Sequence, residues 1–136
     1  MGVGDFNNWA TNCAYQMKRT PDGNYYWLTL TGLTPGAEYA YQYLIDNSIR
    51  TADPYTQKIL DPNNDQYIDA VTYPNLKPYP AGATDIVGIL QTAEPQYTWQ
   101  VNTFVKPDKR NIRNYELLIR DFTAKQSYQY LIASLQ

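Results

Sequence analysis

The feature that most constrains the fold is a nine-residue run, EYAYQYLID (Glu38 to Asp46), in which similar side chains recur at every second position. A β-strand sends alternate side chains to opposite faces, so this spacing predicts a strand. The two predicted faces are Tyr39, Tyr41, Tyr43 and Ile45 on one side and Ala40, Gln42 and Leu44 on the other. We expect the tyrosines to be core and sheet-face residues rather than the walls of a sugar cleft.

Turn signals flank this run and recur along the first half of the chain. They are TPDG (Thr20 to Gly23), TGLTPG (Thr31 to Gly36) and the pair Asn47–Ser48. Between and after them lie further strand candidates: Ala14 to Arg19, Asn24 to Leu30, Ile49 to Ala52, Ile86 to Gln91 and Tyr97 to Val105. Several short strands with turns at this spacing predict an antiparallel all-β sandwich.

The stretch from Asp53 to about Pro80 is rich in Pro, Asn and Asp, which predicts an ordered connector with at most short strands. Within it, Asp61, Asn63, Asp65 and Asp69 alternate as the oxygen donors of a calcium loop do. The sixth position, however, is Gln66 where the sharp turn needs Gly, and the twelfth is Thr72 where a bidentate Glu is needed. We therefore expect turn-forming Asx chemistry here and no metal.

The character of the chain changes after the polar linker KPDKRN (Lys106 to Asn111). YELLIRDF (Tyr115 to Phe122) is an apolar strand candidate, and KQSYQYLIASLQ (Lys125 to Gln136) has apolar residues at helical spacing. A strand followed by a helix is the start of a β/α unit. Glu116 and Arg120 share one face of this predicted strand and Asp121 points to the other. We expect a structural ion pair here rather than a carboxylate pair for acid/base work.

Composition excludes several classes of function. The chain contains no His, which removes the usual base of Ser–His and Cys–His catalytic sites. The net charge is −2 and the pI about 4.9, whereas nucleic-acid binding needs clustered Lys and Arg. No apolar run approaches the ~20 residues that span a bilayer. We expect no nucleic acid, no membrane and no cofactor, and the lone Cys13 allows no internal disulfide.

Aromatic residues suggest where a ligand would bind. The chain has 14 Tyr and three Trp, whose rings suit either sugars or half-buried sheet faces. Trp9, in the opening motif GDFNNW, and Trp27 are the sugar-stacking candidates, with amide groups from Asn8 and Gln42 for the sugar hydroxyls. The alternative is that both indoles are ordinary packing residues.

The same motifs resemble a known family. GDFNNW, then MKR, DGNYYWLTLTGLTPGAEYAYQYLID and ADPY are similar to carbohydrate-binding module family 48. This is the immunoglobulin-like early-set domain that precedes many starch- and glycogen-acting enzymes. ADPYTQKILDPNNDQYI, YTWQVNTFVKPDKRN and YELLIRDFT resemble the α-amylase-type enzymes of glycoside hydrolase family 13, in which YExxxRDFT is the first strand of the (β/α)8 barrel.

The resemblance implies an N-terminal portion of such an enzyme that ends within the first β/α unit. It implies a module with its connector over residues 1–80, linker strands over 81–111 and the first β/α unit over 112–136. The family's catalytic Asp and Glu residues lie on later barrel strands, so we expect no catalysis. The implied partner is the parent enzyme's catalytic barrel. A second hypothesis is a homodimer formed through the unpaired strand 115–122.

The resemblance also names the positions that contact sugar in this family. Glycogen-binding members use the Trp of NNW, a Lys in the following tyrosine-rich strand and a second Trp just beyond that strand. Trp9 matches the first position, whereas the Lys position falls on Gln42 and the second Trp position near Ile49. A mainly structural, interdomain role is therefore the first hypothesis, and a functional α-glucan-binding module is the alternative.

Overall fold

The computed structural model describes residues 1–135, and its regular structure is mostly antiparallel strands with few helices. The strands are β1 Gly2–Gly4, β2 Lys18–Arg19, β3 Tyr26–Trp27, β4 Glu38–Ile45, β5 Ile49–Thr51, β6 Ile59–Leu60 and β7 Val87–Gln91. The helices are α1 Ile119–Phe122 and α2 Tyr128–Ser134. The chain divides into two compact units, the first formed by Met1–Tyr67 with Lys77–Pro95 and the second by Ile68–Leu76 with the chain from Gln96 on.

The first unit is organised around β4, the longest strand. In a five-stranded antiparallel sheet, β4 pairs with β1, β5 and β7, and β7 pairs in turn with β6. The register sets Gly2 opposite Tyr43 and Ala40 opposite Ile89. A separate two-stranded sheet joins β2 and β3.

The alternation of β4 is confirmed, and the structure decides which face is buried. Ala40, Gln42 and Leu44 are buried, while the tyrosines of the opposite face are half-buried. Around the buried face lie Val3 of β1, Leu60 of β6, and Val87 and Ile89 of β7. The tyrosines are thus sheet-face residues, and the core lies on the other side of the strand.

Turn residues end the strands close to the predicted positions, although the turn after β4 is centred on Asp46 and Asn47 and not on the predicted pair Asn47–Ser48. Asp46 and Asn47 both have positive φ, 49° and 54°. Because Ile45 pairs with Ile49, the connection between β4 and β5 is a three-residue loop, Asp46 to Ser48. The amide of Ser48 closes this turn on the carbonyl of Ile45 at 3.0 Å. In the TPDG turn, the amide of Gly23 donates to the carbonyl of Thr20 at 2.9 Å.

Several predicted strands are shorter than expected or absent. Of Ala14 to Arg19 only the last two residues pair in a strand, and Cys13–Tyr15 forms a 3-10 turn. Of Asn24 to Leu30 only Tyr26–Trp27 pairs. The predicted strand Ile86 to Gln91 is confirmed as β7. Part of the predicted linker, residues 81–111, therefore belongs to the main sheet, where β7 lies between β4 and β6.

The second unit contains no strand among its described residues. The predicted strands Tyr97 to Val105 and Tyr115 to Phe122 are both wrong. Tyr97 packs edge-on against Trp99 at 5.0 Å between ring centroids, and the amide of Phe122 donates to the carbonyl of Leu118 in α1. An apolar run forms a strand only where another strand satisfies its amides and carbonyls, and these runs have no such neighbour within the described chain.

The predicted C-terminal helix is confirmed as α2. The Ser127 side chain caps it by accepting from the amide of Tyr130 at 3.3 Å. Leu131 is buried, whereas Ile132 and Leu135 are more than half exposed. Neither α1 nor α2, the helices found in residues 1–135, is long and apolar enough to cross a membrane.

Candidate functional site: the Trp9 face and the Trp27 cleft

The opening motif GDFNNW is a closed turn at the end of β1. Gly4 lies against the strand so closely that a Cβ there would clash with the carbonyl of Ala40. The Asn7 side chain accepts from the amide of Gly4 at 3.0 Å and donates to the carbonyl of Gly2 at 3.2 Å. Hydrogen bonds within the motif therefore fix the backbone that precedes Trp9.

Hydrogen bonds fix both the backbone and the ring of Trp9. Asn8 and Trp9 have positive φ, 52° and 61°, and the amide of Trp9 donates to the carbonyl of Gly4 at 2.9 Å. The indole Nε1 donates to Asp5 Oδ1 at 3.0 Å, and the residue is half-buried. Asn8 is exposed, and its side chain makes no hydrogen bond within residues 1–135.

Asp5 connects the motif to the sheet. Its second carboxylate oxygen accepts from the amide of Ala40 at 2.9 Å and lies 3.0 Å from Lys77 Nζ. Both charged side chains are about three-quarters buried, with 24% and 26% exposed. Hydrogen bonds to a charged group are stronger than neutral ones, so the Asp5 carboxylate provides a strong side-chain link between the turn and β4.

One segment, residues 82–86, contacts Trp9, Gln42 and Arg50, and we call the surface around Trp9 that it covers the Trp9 face. A Cβ on Gly82 would lie 2.6 Å from the Trp9 Cβ, so the backbone runs directly against this side chain. The Gln42 Nε2 donates to the carbonyls of Thr84 at 2.5 Å and Ile86 at 2.9 Å. The Arg50 guanidinium donates to the carbonyl of Gly82 at 2.7 Å.

The expectation that Gln42 offers an amide to a sugar is wrong. Its side chain is fully buried, because it points to the core face of β4, and its donor group is occupied by the covering segment. Its Oε1 is buried with no hydrogen-bond partner within residues 1–135. Ile49 is opposite Ile45 in the register, so it lies on the tyrosine face, away from Gln42.

Trp27 lies in a different environment, on the β2–β3 hairpin. Its side chain is 47% exposed, and Lys18, its cross-strand partner, places Nζ 5.1 Å from the indole centroid. A cleft of about 320 Å³ opens beside the ring. Ala14, Gln16, Lys18, Trp27, Leu28 and Thr29 line this Trp27 cleft. The sequence predicts a ligand contact only for Trp27 among these residues, although the TPDG turn between the two strands indicates that Lys18 lies opposite it.

A second charged network, which is only partly buried, lies on the tyrosine face. The hydroxyls of Tyr41 and Tyr43 donate to the same oxygen of Asp53, at 2.8 and 2.9 Å, and the amide of Tyr55 donates to the other at 2.9 Å. The pKa of both hydroxyls is raised, first by their burial and second by their contacts with Asp53. Burial works to raise the pKa of Asp53, but the three donated hydrogen bonds outweigh it and lower that pKa.

The acidic loop from Asp61 to Asp69 has the expected turn chemistry. Asp61 accepts from the side chain of Asn64 at 2.6 Å and from the amide of Asn63 at 2.9 Å, which lowers the pKa of its carboxyl. Asp65 accepts from the amide of Asp61 at 2.9 Å. Within residues 1–135 no three ligand-type side chains converge as a metal centre would require.

In the second unit, Arg120 pairs with Asp121, Nε and Oδ1 lying 3.2 Å apart, and not with Glu116, which shares its face in the predicted strand. Both side chains are about two-thirds exposed or more, so solvent screens the pair and it contributes little stability. Glu116 takes no part in an ion pair among the described residues.

No protein-family model and no curated protein sequence matches the chain.

Proposed function

We propose that this chain is a non-catalytic accessory module of an α-amylase-type glycoside hydrolase that degrades starch or a related α-glucan. We further propose that its strands form an immunoglobulin-like early-set sandwich and that its C-terminal part is the remnant of a (β/α)8 barrel. The order of the motifs from GDFNNW to YELLIRDFT supports this assignment. An antiparallel, strand-rich first unit is compatible with it.

The role of the module is mainly structural, and one observation carries this conclusion. The segment 82–86 packs on Trp9 and takes the Gln42 amide as a donor to two of its carbonyls. A pyranose ring on this face would have to displace that segment and leave those carbonyls without their partner. An unsatisfied buried group costs about 1–3 kcal/mol, as much as a stacking contact supplies.

An interdomain role also fits the surface of the second unit. Tyr97, Trp99, Phe104 and Tyr115 are each 68–77% exposed, which is unusual for aromatic side chains that lie close in sequence. The proposed partner is the catalytic barrel of the parent enzyme. A homodimer is the alternative partner, and it would use side-chain packing, because the described chain has no strand at 115–122 to pair.

The structural role is tested with Trp9→Phe and Gln42→Leu. Both variants lower the free energy of unfolding, because the first loses the bond to Asp5 and the second loses two donated hydrogen bonds. Neither changes the affinity for maltoheptaose. A Trp9→Phe variant that keeps its stability but loses saturable maltoheptaose binding would contradict the proposal. Turnover of soluble starch by the purified chain would contradict the non-catalytic assignment.

The second candidate function is α-glucan binding, and the Trp27 cleft favours it. This cleft combines an exposed indole with polar groups, whereas the Trp9 face is occupied by the chain itself. The two functions are compatible, since they use different surfaces of the first unit.

A further inference from the structure

We propose that residues 97–105 pair as an antiparallel β-strand with the same residues of a second copy of the chain, with the two-fold axis at Val101. This inference goes beyond the proposed function, because it concerns the backbone of the segment and not only its aromatic side chains. It gives the homodimer a defined interface, in which backbone pairing is added to side-chain packing.

The backbone of the segment 97–105 has no partner within the described chain. No amide or carbonyl of these residues makes a hydrogen bond to another residue of the range 1–135. All of them are exposed, and they belong to no helix or strand. Backbone groups in this state are bonded to water, so an incoming strand can pair with them without breaking an internal hydrogen bond.

The composition of the segment is that of a strand. Every residue except Gln100 and Asn102 is β-branched or aromatic, and none is charged, Pro or Gly. The large apolar side chains are 66–86% exposed, and they are Tyr97, Trp99, Val101, Phe104 and Val105. The segment therefore has the side chains of a strand and lacks only a neighbouring strand.

The segment is complementary to itself in an antiparallel register about Val101. In that register Tyr97 lies opposite Val105 of the second copy. Trp99 lies opposite Thr103, so each of these aromatic rings meets a β-branched side chain. Such cross-strand pairs are favourable, and no like charges meet because the segment has no charged residue. The two-fold symmetry forms each of these contacts twice.

Two prolines limit the pair to this segment. Pro95 and Pro107 each lie six residues from Val101, on opposite sides, so the same register brings them opposite each other. Proline has no amide to donate to a neighbouring strand, and pairing therefore ends at both of these positions. The two prolines thus bound a pair whose centre is Val101.

The main sheet of the first unit offers no comparable edge. β1 is an outer strand of this sheet, and its Gly4 amide and Gly2 carbonyl both bond to the side chain of Asn7. The Gly4 carbonyl accepts from the amide of Trp9. β5 and β6 are short, with three and two residues. Strand pairing between two copies is therefore expected at 97–105.

The first test is sedimentation velocity over a concentration series of about 5–500 µM. We expect a monomer–dimer equilibrium with a Kd of about 20–200 µM, since an interface of this size is weak. Val101→Lys sets two ammonium groups opposite each other at the two-fold axis and raises the Kd about tenfold or more. Val71→Lys leaves the Kd unchanged and is the matched control, because Val71 belongs to the same unit and is 70% exposed, against 66% for Val101. Both valines are exposed, so both variants keep the far-UV circular dichroism of the monomer.

Cysteine cross-linking tests the register, in a Cys13→Ser background because Cys13 is an exposed free thiol. Val101→Cys sets two thiols opposite each other, with about 4.5–5.5 Å between the Cα atoms, so diamide oxidises them to a disulfide that joins the two copies. Tyr97→Cys alone gives no covalent dimer, because the two copies of residue 97 lie at opposite ends of an antiparallel pair. An equimolar mixture of Tyr97→Cys and Val105→Cys does give one.

Several results would overturn the proposal. They are a monomer at every concentration up to ~500 µM, a dimer whose Kd is the same in Val101→Lys, and assembly that continues beyond the dimer. A covalent dimer of Tyr97→Cys alone would show a parallel pair and would also overturn it. None of these results changes the accessory-module assignment, which is tested separately at Trp9 and Gln42 and by starch turnover.

Discussion

The indole Nε1 of Trp9 donates a hydrogen bond of 3.0 Å to Oδ1 of Asp5, four residues earlier in the same turn. The other oxygen of this carboxylate accepts from the amide of Ala40 in the central strand. The ring that resembles a sugar platform is thus part of the connection between the first turn and the sheet. Its hydrogen-bonding capacity is used internally.

Asp5→Asn tests this connection. The Asn Oδ1 can replace one carboxylate oxygen, but its Nδ2 would then face the amide of Ala40 and the Lys77 ammonium, which are also donors. We expect a loss of about 2–3 kcal/mol in the free energy of unfolding, measured by urea denaturation. Asp46→Asn is the control, because Asp46 is exposed in a turn with positive φ that Asn tolerates. Equal stability of the two variants would contradict the assignment.

Gly82→Ala tests the covering segment. The new Cβ would meet the Trp9 Cβ at 2.6 Å and Cγ at 2.7 Å, so either the segment or the indole must move. We expect a destabilisation of about 1–3 kcal/mol together with a shift of the Trp9 indole signal. Gly32→Ala is the comparison, since Gly32 has a φ of 76° and open space around it. That variant loses stability through its backbone alone and leaves the Trp9 signal unchanged.

Acid stability follows from Asp53. Its pKa is lowered in the folded protein by the hydrogen bonds from Tyr55, Tyr41 and Tyr43, which outweigh the opposing effect of burial. A group with a lowered folded pKa stabilises the fold above its unfolded pKa, and the contribution disappears as the pH falls through the folded value. We therefore expect the free energy of unfolding to decrease below about pH 4. In Asp53→Asn the decrease over this range is smaller, and an unchanged acid profile would contradict the prediction.

Alkaline stability follows from the two tyrosines. Burial and the contact with Asp53 raise the pKa values of Tyr41 and Tyr43 above their ordinary value of 10.0. A group with a raised folded pKa contributes fully below its unfolded pKa, so this stabilisation is lost progressively as the pH rises above 10. Tyr41→Phe should flatten the alkaline part of a stability profile measured at constant ionic strength. Tyr55→Phe is the control, because Tyr55 is 91% exposed. If both variants flattened the profile alike, the network would not be its cause.

Asn47→Gly tests the hairpin turn between β4 and β5. Asn47 has a φ of 54°, a conformation that Gly adopts without steric cost. Asp-Gly is a preferred pair where two successive turn residues have positive φ, so we expect a gain of about 0.5 kcal/mol in stability. Asn64→Gly is the control: Asn64 donates to Asp61 at 2.6 Å and has no positive φ, so its loss is destabilising. A destabilised Asn47→Gly would contradict the turn geometry.

The sequence by itself determined the elements whose physics is local. Glu38–Ile45 is a strand because its side chains alternate and turn residues bound it. The chain turns directly after it because Asp46 and Asn47 tolerate positive φ, one position before the predicted pair Asn47–Ser48. Helix α2 follows from the spacing of its apolar residues and from Ser127 as its cap. In each case the deciding interactions lie within a few residues, so a single stretch of sequence contains them.

Only the tertiary structure decided the features that depend on residues distant in the sequence. Tyr97–Val105 and Tyr115–Phe122 have strand composition, but a strand also needs another backbone to bond its amides, and no pattern within a run supplies one. Gln42 is polar and stands on an alternating strand, which suits a surface residue. It is buried because residues 82–86, some forty positions later in the chain, bring two carbonyls to its amide. Contacts at that separation in sequence depend on how the chain packs. The same packing places residues 82–86 on Trp9 and leaves Trp27 exposed.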